Sequence, residues 1–311
     1  MRKVIKGITA SILLLPVLAS SPQWGHAATA EKIVPTTHPI IVTYNARQMD
    51  LLGAKADLKG GSVYVPLRGV AQAMGASVQY SDGNVTLSKD ANSVELKAGS
   101  KVATINGNNI NFAQPMYSQN GRTMVPLRLI AEAFEEKVEW DGALDYVWIG
   151  NKEVPDIESV TKPVSLEPYK DYYEGAMERL LISWGSLGKL KQTKGLILSR
   201  KNFPISIKGV SYFRIDLVSS NKSNQFLRFT SSSKTPAIGL AYLIKDDIAR
   251  LRGDIVPFRE RTAASKANYY PIASIADRND GIATWESLTL SEIKYIQLRI
   301  DYDYTILFKA N

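Results

Sequence analysis

Val65-Pro66-Leu67-Arg68-Gly69-Val70-Ala71-Gln72-Ala73 returns sixty residues later as Val125-Pro126-Leu127-Arg128-Leu129-Ile130-Ala131-Glu132-Ala133. Each copy continues into an alternating segment that ends in an aromatic residue, at Tyr80 and at Trp140. Repetition at a fixed offset predicts one supersecondary unit that is used twice and stacked to share a core. Neither copy contains a plausible set of catalytic residues. The repeat therefore predicts features of the fold and does not indicate an enzymatic activity.

Short runs of alternating apolar and polar residues follow one another from residue 40 to about residue 150. Because these runs are bounded by Gly, Asn and Asp, they predict strands. The segments 82–84 and 106–107 are typical of hairpin turns, since their residues tolerate a positive φ. This half of the chain is therefore predicted to be rich in short, mostly hairpin-connected strands.

One short helix is expected after the first strand of each copy. Pro66 and Pro126 suit the first turn of a helix, where a missing N–H costs no hydrogen bond. Arg68 and Arg128 follow at equivalent positions, which favours a structural role in holding helix to sheet over a functional pair. The predicted fold is α+β, with tandem strand–helix–hairpin repeats that pair in an antiparallel sheet and bury both helices.

These motifs resemble the copper amine oxidase N-terminal-like domain, or stalk domain, of secreted bacterial proteins. The resemblance is carried by residues 122–141 in the second copy and by residues 65–80 in the first, and it covers about residues 40–150. It implies a non-catalytic extension or surface module rather than an oxidase. One departure is Glu135-Glu136, which stands where the first copy has Gly75-Ala76, as the family usually does.

The family name suggests copper, but the residues argue against a copper amine oxidase. The resemblance implies that such an enzyme uses three histidines and a modified tyrosine, whereas this chain has two histidines, His26 and His38. Imidazole is the expected copper ligand, so the oxidase site cannot be built. We expect no copper amine oxidase activity, no cofactor, no metal site and no catalytic residue.

The first thirty residues have the pattern of a secretory signal peptide. A basic start at residues 2–6 precedes an apolar stretch at 8–19, and small residues follow at 27–30. This order predicts export with removal of the segment, and a retained signal anchor is the alternative. The apolar stretch is shorter than the about 20 residues of a membrane-spanning helix. We expect a secreted protein, either extracellular or associated with the cell wall.

The composition limits the kinds of partner and chemistry that we expect for an exported chain. The protein has no cysteine, so its stability depends on core burial rather than disulfides, and it has no thiol chemistry. Its formal charge is +8, an excess that fits contact with an anionic cell envelope. We find no nucleic-acid-binding module and no later segment of transmembrane length.

The second half differs in character from the repeated half. Prolines interrupt residues 152–168, which predicts a linker between a stalk-like domain at 31–151 and a β-rich domain at 169–311. Apolar residues at helical spacing predict an amphipathic helix over 169–185 that packs on its own domain. Binding of a sugar or partner by its aromatic residues is the alternative.

The remainder is predicted to be strand-rich. Residues 237–244 form a continuous apolar run, typical of a strand buried on both faces. Alternation from Ile296 to Phe308 predicts one long C-terminal strand. Together these features suggest a small β-sandwich or curled sheet, with the N-terminal helix of this domain packed against it.

A run of basic residues without an intervening acid connects these elements, and it comprises Lys189, Lys191, Lys194, Arg200, Lys201 and Lys208. The first five are candidates for a polyanion-binding surface, for which wall teichoic acid or anionic lipid would be natural partners. The favoured interpretation is a solvated basic loop and edge strand, in which lysine deters aggregation.

The residues favour an exported, non-enzymatic protein with a stalk or scaffold module and a C-terminal interaction domain. Its ligand would be a cell-wall polymer, a carbohydrate or another surface protein. The alternative is a hydrolase or lyase acting on an envelope polysaccharide, with carboxylates such as Asp246, Asp277 or Asp301 in its site. A regulator of another secreted protein is a third possibility, which the sequence does not separate from the first.

Overall fold

The computed structural model describes residues 30–34, 38–112, 115–173, 175–185, 188–232, 238–255, 258 and 260–310. The predicted signal peptide falls outside these residues, apart from Ala30. Residues Lys32–Asn311 form one unit by their contacts. This unit is mostly β, with few and short helices and several sheets. Among the helices of the described ranges, none has both the length and the apolar character that crossing a membrane requires.

The described residues of the first half of this unit form thirteen short strands and two helices. The strands are β1 Ile41–Tyr44, β2 Arg47–Gln48, β3 Asp57–Lys59, β4 Ser62–Pro66, β5 Ser77–Ser81, β6 Asn84–Lys89, β7 Asn92–Lys97, β8 Val102–Ile105, β9 Asn108–Asn111, β10 Tyr117–Gln119, β11 Arg122–Pro126, β12 Val138–Asp141 and β13 Tyr146–Ile149. The helices are α1 Leu67–Met74 and α2 Leu127–Ala133.

These strands form three sheets around one core. Their orders are β12-β13-β1-β2, β10-β11-β4-β3 and β5-β6-β7-β8-β9. Strands β4 and β11 run antiparallel, with Val65 directly opposite Val125. Both valines are buried in the same cluster as Val70 of α1 and Ile130 of α2. Burial of both helices against the sheets follows from their apolar faces.

The two prolines of the motif lie at the boundary between strand and helix. Pro66 and Pro126 end β4 and β11 with ψ of 125° and 115°, and each helix begins at the following leucine. The prediction that these prolines lie inside the first helical turn is therefore wrong by one position. The ring restricts only φ, to a value that suits strand and helix alike, so ψ decides where the helix begins.

The helices end differently in the two copies. Gly75 ends α1 with a left-handed φ of 69°, and Glu135 adopts a φ of 61° just after α2. The next residue, Glu136, accepts hydrogen bonds from the hydroxyl of Tyr44 at 2.6 Å and from Nζ of Lys89 at 3.1 Å. In the second copy, Glu135-Glu136 therefore replaces the glycine turn of the first copy, and Glu136 connects the end of α2 to strands β1 and β6 through hydrogen bonds.

The second half contains thirteen further strands. They are β14 Val164–Ser165, β15 Ile182–Gly185, β16 Gly188–Lys191, β17 Lys194–Leu198, β18 Ile205–Ile207, β19 Val210–Ser219, β20 Gln225–Ser232, β21 Gly239–Ile244, β22 Arg250–Arg252, β23 Glu260–Arg261, β24 Ser265–Pro271, β25 Ile293–Arg299 and β26 Thr305–Lys309. The helices are α3 Ile157–Val160 and α4 Ile275–Asn279, with 3-10 segments at Glu167–Tyr172, Gly175–Leu181, Arg200–Asn202 and Trp285–Ser287.

Two sheets enclose the core of this half. The larger has the order β14-β17-β26-β25-β21-β22, the smaller has the order β18-β19-β20-β24-β23, and β15 pairs with β16 separately. Leu196 and Ile296 of the larger sheet belong to the same buried cluster as Phe229 and Tyr270 of the smaller one. The other face of the larger sheet is covered by residues that include Tyr173.

The predicted α-helix over 169–185 is wrong in type and extent. Two 3-10 segments take its place, and strand β15 begins at Ile182. Tyr169 and Tyr172 both meet Tyr295 edge-on, with ring centroids 5.2 and 5.4 Å apart. Residues three apart are eclipsed in a 3-10 helix, so this geometry aims both tyrosines at one ring of the sheet.

The predicted single C-terminal strand is also wrong, because the chain turns back within it. Strands β25 and β26 pair antiparallel, with Ile296 opposite Phe308. The alternation of apolar and polar residues continues through the turn because Tyr302, a turn residue, is buried against the same core as the two strands. The prediction of antiparallel pairing in the first half is wrong at one place, since β1 and β13 run parallel. In the second half, β17 and β26 also run parallel.

The residues predicted as a linker lie against the second half. Ile157 is fully buried in the core of the sandwich, and β14 pairs with β17. The two halves also contact each other directly. Arg214 of β19 donates to the carbonyl of Leu144 at 2.6 Å, and the Tyr146 hydroxyl donates to the carbonyl of Phe213. The domain boundaries proposed from the sequence remain a prediction.

Candidate functional site

A cleft lies where the turn between β25 and β26 faces the β15–β16 pair and the start of β17. It consists of two adjoining hollows of about 320 and 540 Å³, which share Ser183, Gln192, Asp301, Tyr302 and Tyr304. We call it the lysine cleft. Because the sequence analysis expected one continuous strand here, the turn that makes the cleft was missed.

Hydrogen bonds hold the floor of the lysine cleft. Gln192 donates from Nε2 to the Ser183 hydroxyl and to the Tyr302 carbonyl, both at 2.9 Å. The Tyr302 hydroxyl donates to Glu158 at 2.7 Å. Burial, aided by the Glu158 carboxylate, raises the pKa of Tyr302 above its ordinary value. The phenol therefore remains a neutral donor at physiological pH.

The charge of the cleft is predominantly positive. Its walls carry five cationic side chains and two carboxylates. The cationic residues are Arg179, Lys191, Lys194, Lys208 and Arg299, and the acidic ones are Asp301 and Asp303. Such a surface attracts an anionic ligand more strongly than a neutral one.

Two of these cations already have partners within the protein. Lys191 pairs with Glu178 at 3.0 Å, and Nζ of Lys208 donates to the carbonyl of Asp301 at 2.6 Å. Both side chains of the Lys191–Glu178 pair are exposed, so the pair contributes little to stability and can open for a ligand. An extended anion could therefore follow Lys191, Lys194 and Lys208 across the cleft.

The structure brings together only part of the basic run that the sequence suggested. Lys191 and Lys194 line the cleft, and the Lys189 side chain lies outside the described residues. Arg200 and Lys201 follow the far end of β17, about 13 Å of strand away from Lys194. Lys201 there pairs with Asp50 of the first half at 3.2 Å.

Three cationic residues of the cleft were not among the five candidates named from the sequence, and only one of them could have been found there. Lys208 belongs to the same basic run, and that run was a usable signal. Arg179 and Arg299 come from segments far from it along the chain, and no local pattern marked them.

The two arginines of the repeated motif lie on the surface. Arg68 is exposed, with its guanidinium carbon 5.9 Å from the centroid of the Tyr80 ring. Arg128 is also exposed and lies 3.9 Å from Glu132 on its own helix. Pro66 and Pro126 precede the two helices as described above. The contact of Arg128 is with its own helix, and the structural role expected of both arginines remains a prediction.

The three carboxylates named for a hydrolytic site lie apart. Asp246 follows the end of β21 beside the start of β25, and Asp301 follows the other end of β25, about 20 Å away along the strand. Asp277 is buried in an ion pair with Arg252. A pair of glycosidase carboxylates needs a separation of about 5–10 Å, so these residues do not form one. Within the described ranges there is also no cluster of three or more His, Asp or Glu side chains suited to a metal ion.

Comparison with known proteins gives one family match, which lies in the first half. No curated protein matches the chain. The family model of the copper amine oxidase N-terminal domain matches residues 43–149, from within β1 to the end of β13. This match confirms the resemblance noted from the sequence, and the matched domain is a non-catalytic, stalk-like module. Residues 43–149 of this chain are therefore similar to the copper amine oxidase N-terminal domain.

Proposed function

We propose that this chain is an exported, non-catalytic protein of the cell surface, whose stalk-like domain supports a C-terminal domain that binds an anionic cell-wall polymer. The observation that carries the proposal is the lysine cleft, with its five cations against two acids. A polymer of repeating negative charge can occupy several cations at once, and each pairing adds to the total binding energy.

Export is supported by the first thirty residues and by the composition. The basic start, apolar stretch and small residues have the order of a secretory signal. The protein is free of cysteine, so its fold does not depend on the redox state of its surroundings.

The stalk-like domain is proposed to be a doubled module. Strands β4 and β11 hold the same motif and pair around Val65 and Val125. The succession of strand, helix and hairpin is the same in both copies, through β4-α1-β5-β6 and β11-α2-β12-β13. A module of this kind is a spacer with a large shared core, suited to displaying the second domain.

Sedimentation with purified cell walls tests the function. The full chain is expected to sediment with walls that retain their anionic polymer and to remain in solution with walls stripped of it. The double substitution Lys191→Gln and Lys194→Gln should weaken retention about thirtyfold, since each lysine near an anionic surface contributes about 1 kcal/mol.

The matched control replaces two exposed lysines outside the cleft, Lys222→Gln and Lys245→Gln. It removes the same charge and should leave most of the retention. If both double variants lose retention equally, the effect depends on net charge and not on the cleft. If the unchanged protein is not retained, wall binding is refuted.

A second candidate function is hydrolysis or lyase cleavage of an envelope polysaccharide. The observation in its favour is that Asp301 and Asp303 both line the lysine cleft. The test is release of new sugar ends from envelope polysaccharides by the full chain, compared with Asp301→Asn. Release that disappears in the variant would favour this function, and absence of release in both would exclude it for the polymers used.

A further inference from the structure

Two grooves of similar size lie on the stalk-like domain. The first has a volume of about 380 Å³ and is lined by the Pro66-Leu67-Arg68 segment, Tyr80 and residues 121–123. The second has a volume of about 360 Å³ and is lined by the Pro126-Leu127-Arg128 segment, Trp140 and residues 61–63. These positions correspond at an offset of sixty residues. The linings also include Leu52 in the first groove and Leu58, Val138 and Val147 in the second, which have no counterpart in the other groove.

Strand pairing explains why the grooves match. Strands β4 and β11 are antiparallel with Val65 opposite Val125, and these two valines occupy the same place in their motifs. A local twofold axis therefore passes between them, as in an isologous contact. The axis brings the hairpin turn of each copy to the Pro-Leu-Arg segment of the other, so each groove is built from both copies.

Each groove offers an exposed aromatic ring beside an arginine. Tyr80 and Trp140 retain 52% and 43% of their accessible surface. Each ring is on the edge strand of its sheet, β5 or β12. Large side chains that are exposed at equivalent places of a repeat are not needed for the core, and aromatic rings at such places are typical of binding surfaces.

The charge of the grooves favours an anionic occupant. The first groove is lined by Arg68 and Arg122, and Arg128 is the charged residue in the lining of the second. Glu132 lies 3.9 Å from Arg128, but both side chains are well exposed, so the pair is weak. A guanidinium binds a carboxylate through two parallel hydrogen bonds.

We propose that the stalk-like domain is itself a binding module for an acidic polysaccharide, and that each groove takes one uronic acid residue. A uronic acid carries a carboxylate on a pyranose ring, so a single residue can stack its apolar face on Tyr80 or Trp140 and pair with Arg68 or Arg128. A polymer that repeats this unit can occupy both grooves, which multiplies the affinity of either one. The site is separate from the lysine cleft and stands without it.

A proline-rich peptide also binds aromatic-lined grooves. The arginines decide against it here, because such a peptide offers no carboxylate at each turn. A phosphate polymer would pair with the arginines but offers no ring to stack on an aromatic side chain. Both are tested below as competitors.

NMR titration of the full chain tests each groove separately. The chain carries Lys191→Gln and Lys194→Gln, so that the lysine cleft contributes little. Trigalacturonate is the probe, because a trimer is too short to span many sites. The indole N–H signal of Trp140 should shift, while that of Trp148, which is buried in the core, should not. The Arg68 side-chain N–H signal should shift with it.

Substitutions then assign the contacts. Arg128→Gln should weaken binding at the second groove about tenfold and leave the first unchanged. Tyr80→Ala should abolish the shift at Arg68 and leave the shift at Trp140. Trp140→Ala, in which the second groove is read at the Arg128 side-chain N–H, should abolish binding at the second groove only. Arg278→Gln, an exposed arginine outside both grooves, is the control and should change neither.

The proposal is overturned by any of four results. These are no shift with trigalacturonate, an equal shift with neutral maltotriose, a shift with tripolyphosphate or a proline-rich decapeptide in place of trigalacturonate, and shifts that persist in the double variant Tyr80→Ala and Trp140→Ala. Wall retention through the lysine cleft is measured with different variants, so failure of one proposal leaves the other standing.

Discussion

Arg252 and Asp277 form a buried ion pair in which each terminal nitrogen of the guanidinium donates to one carboxylate oxygen, both at 2.6 Å. The same guanidinium donates to the carbonyls of Pro271 and Ile272 at 2.9 and 2.7 Å. This pair ties helix α4 to strand β22 and to the end of β24. Both residues are almost fully buried, so each charge depends on the other.

Asp277→Asn is expected to destabilise the protein by about 3–5 kcal/mol, because it leaves the Arg252 charge buried without a counterion. Urea unfolding of the full chain measures this change. Asp280→Asn removes an exposed carboxylate three residues away and should cost less than about 0.5 kcal/mol. A loss as small in Asp277→Asn as in the control would contradict the role assigned to the pair.

Asp216 is predicted to make the protein sensitive to acid. Burial alone raises the pKa of Asp216, but its hydrogen bonds and ion pairs with Arg214 and Arg228 outweigh burial, and the pKa lies below its ordinary value. A carboxyl with a depressed folded pKa stabilises above the unfolded pKa of about 3.9 and loses that contribution as the pH falls through its folded pKa.

The unfolding free energy should therefore fall below about pH 4, and Asp216→Asn should lessen that fall while lowering stability at pH 7. Unfolding in urea between pH 2.5 and 7 measures both effects. Asp90→Asn, on an exposed turn, is the control. An unchanged acid slope in Asp216→Asn would show that other carboxylates are responsible.

His38 is predicted to control stability at mildly acidic pH. Burial, the largest cause, and the nearby charge of Arg228 lower the pKa of His38. The folded state therefore binds its proton less readily than the unfolded chain, whose histidine has a pKa of about 6.5. Stability is complete above that pH and decreases as the pH falls from about 6.5 through the lower, folded pKa.

His38→Gln should make the unfolding free energy more nearly equal at pH 7.5 and pH 5.5, where carboxylates titrate little. Lys222→Gln, a substitution of an exposed lysine, is the control. If the control removes the pH dependence and His38→Gln does not, the assignment is wrong.

Glu135→Gly is expected to stabilise the protein by about 0.5–1 kcal/mol, because a residue with a Cβ is strained at the positive φ that it adopts. The converse change at the equivalent turn, Gly75→Ala, should destabilise by about 1 kcal/mol, although a Cβ there meets no atom within 4 Å. Thermal unfolding of both variants measures the pair. Changes of the same sign in the two variants would contradict the argument from backbone strain.

Local patterns in the sequence predicted the elements better than their connections. Alternation predicted that residues 40 to about 150 are rich in short strands, as observed, because period-two burial is visible within a few residues. The same rule joined β25 and β26 into one strand, since the turn residue Tyr302 is buried in phase with both. The helical spacing of apolar residues over 169–185 likewise indicated side chains that pack on the domain. The backbone there is nevertheless 3-10 helix followed by a strand.

The candidate sites were less accessible from sequence. Lys191 and Lys194 were visible as part of a basic run, whereas Arg179 and Arg299 join them only because the turn between β25 and β26 faces β15 and β16. The grooves could not be seen in either copy alone. Each needs a hairpin turn from the other copy, and the strand register that supplies it is a tertiary property.

The sequence by itself determined that the first half resembles a copper amine oxidase N-terminal domain and contains the same motif twice, sixty residues apart. Tertiary structure alone decided that β1 joins β13 in parallel, that Arg252 meets Asp277, and that Val65 faces Val125. Pairing of strands and burial of charges depend on contacts between residues far apart in the chain, and local periodicity carries no information about them.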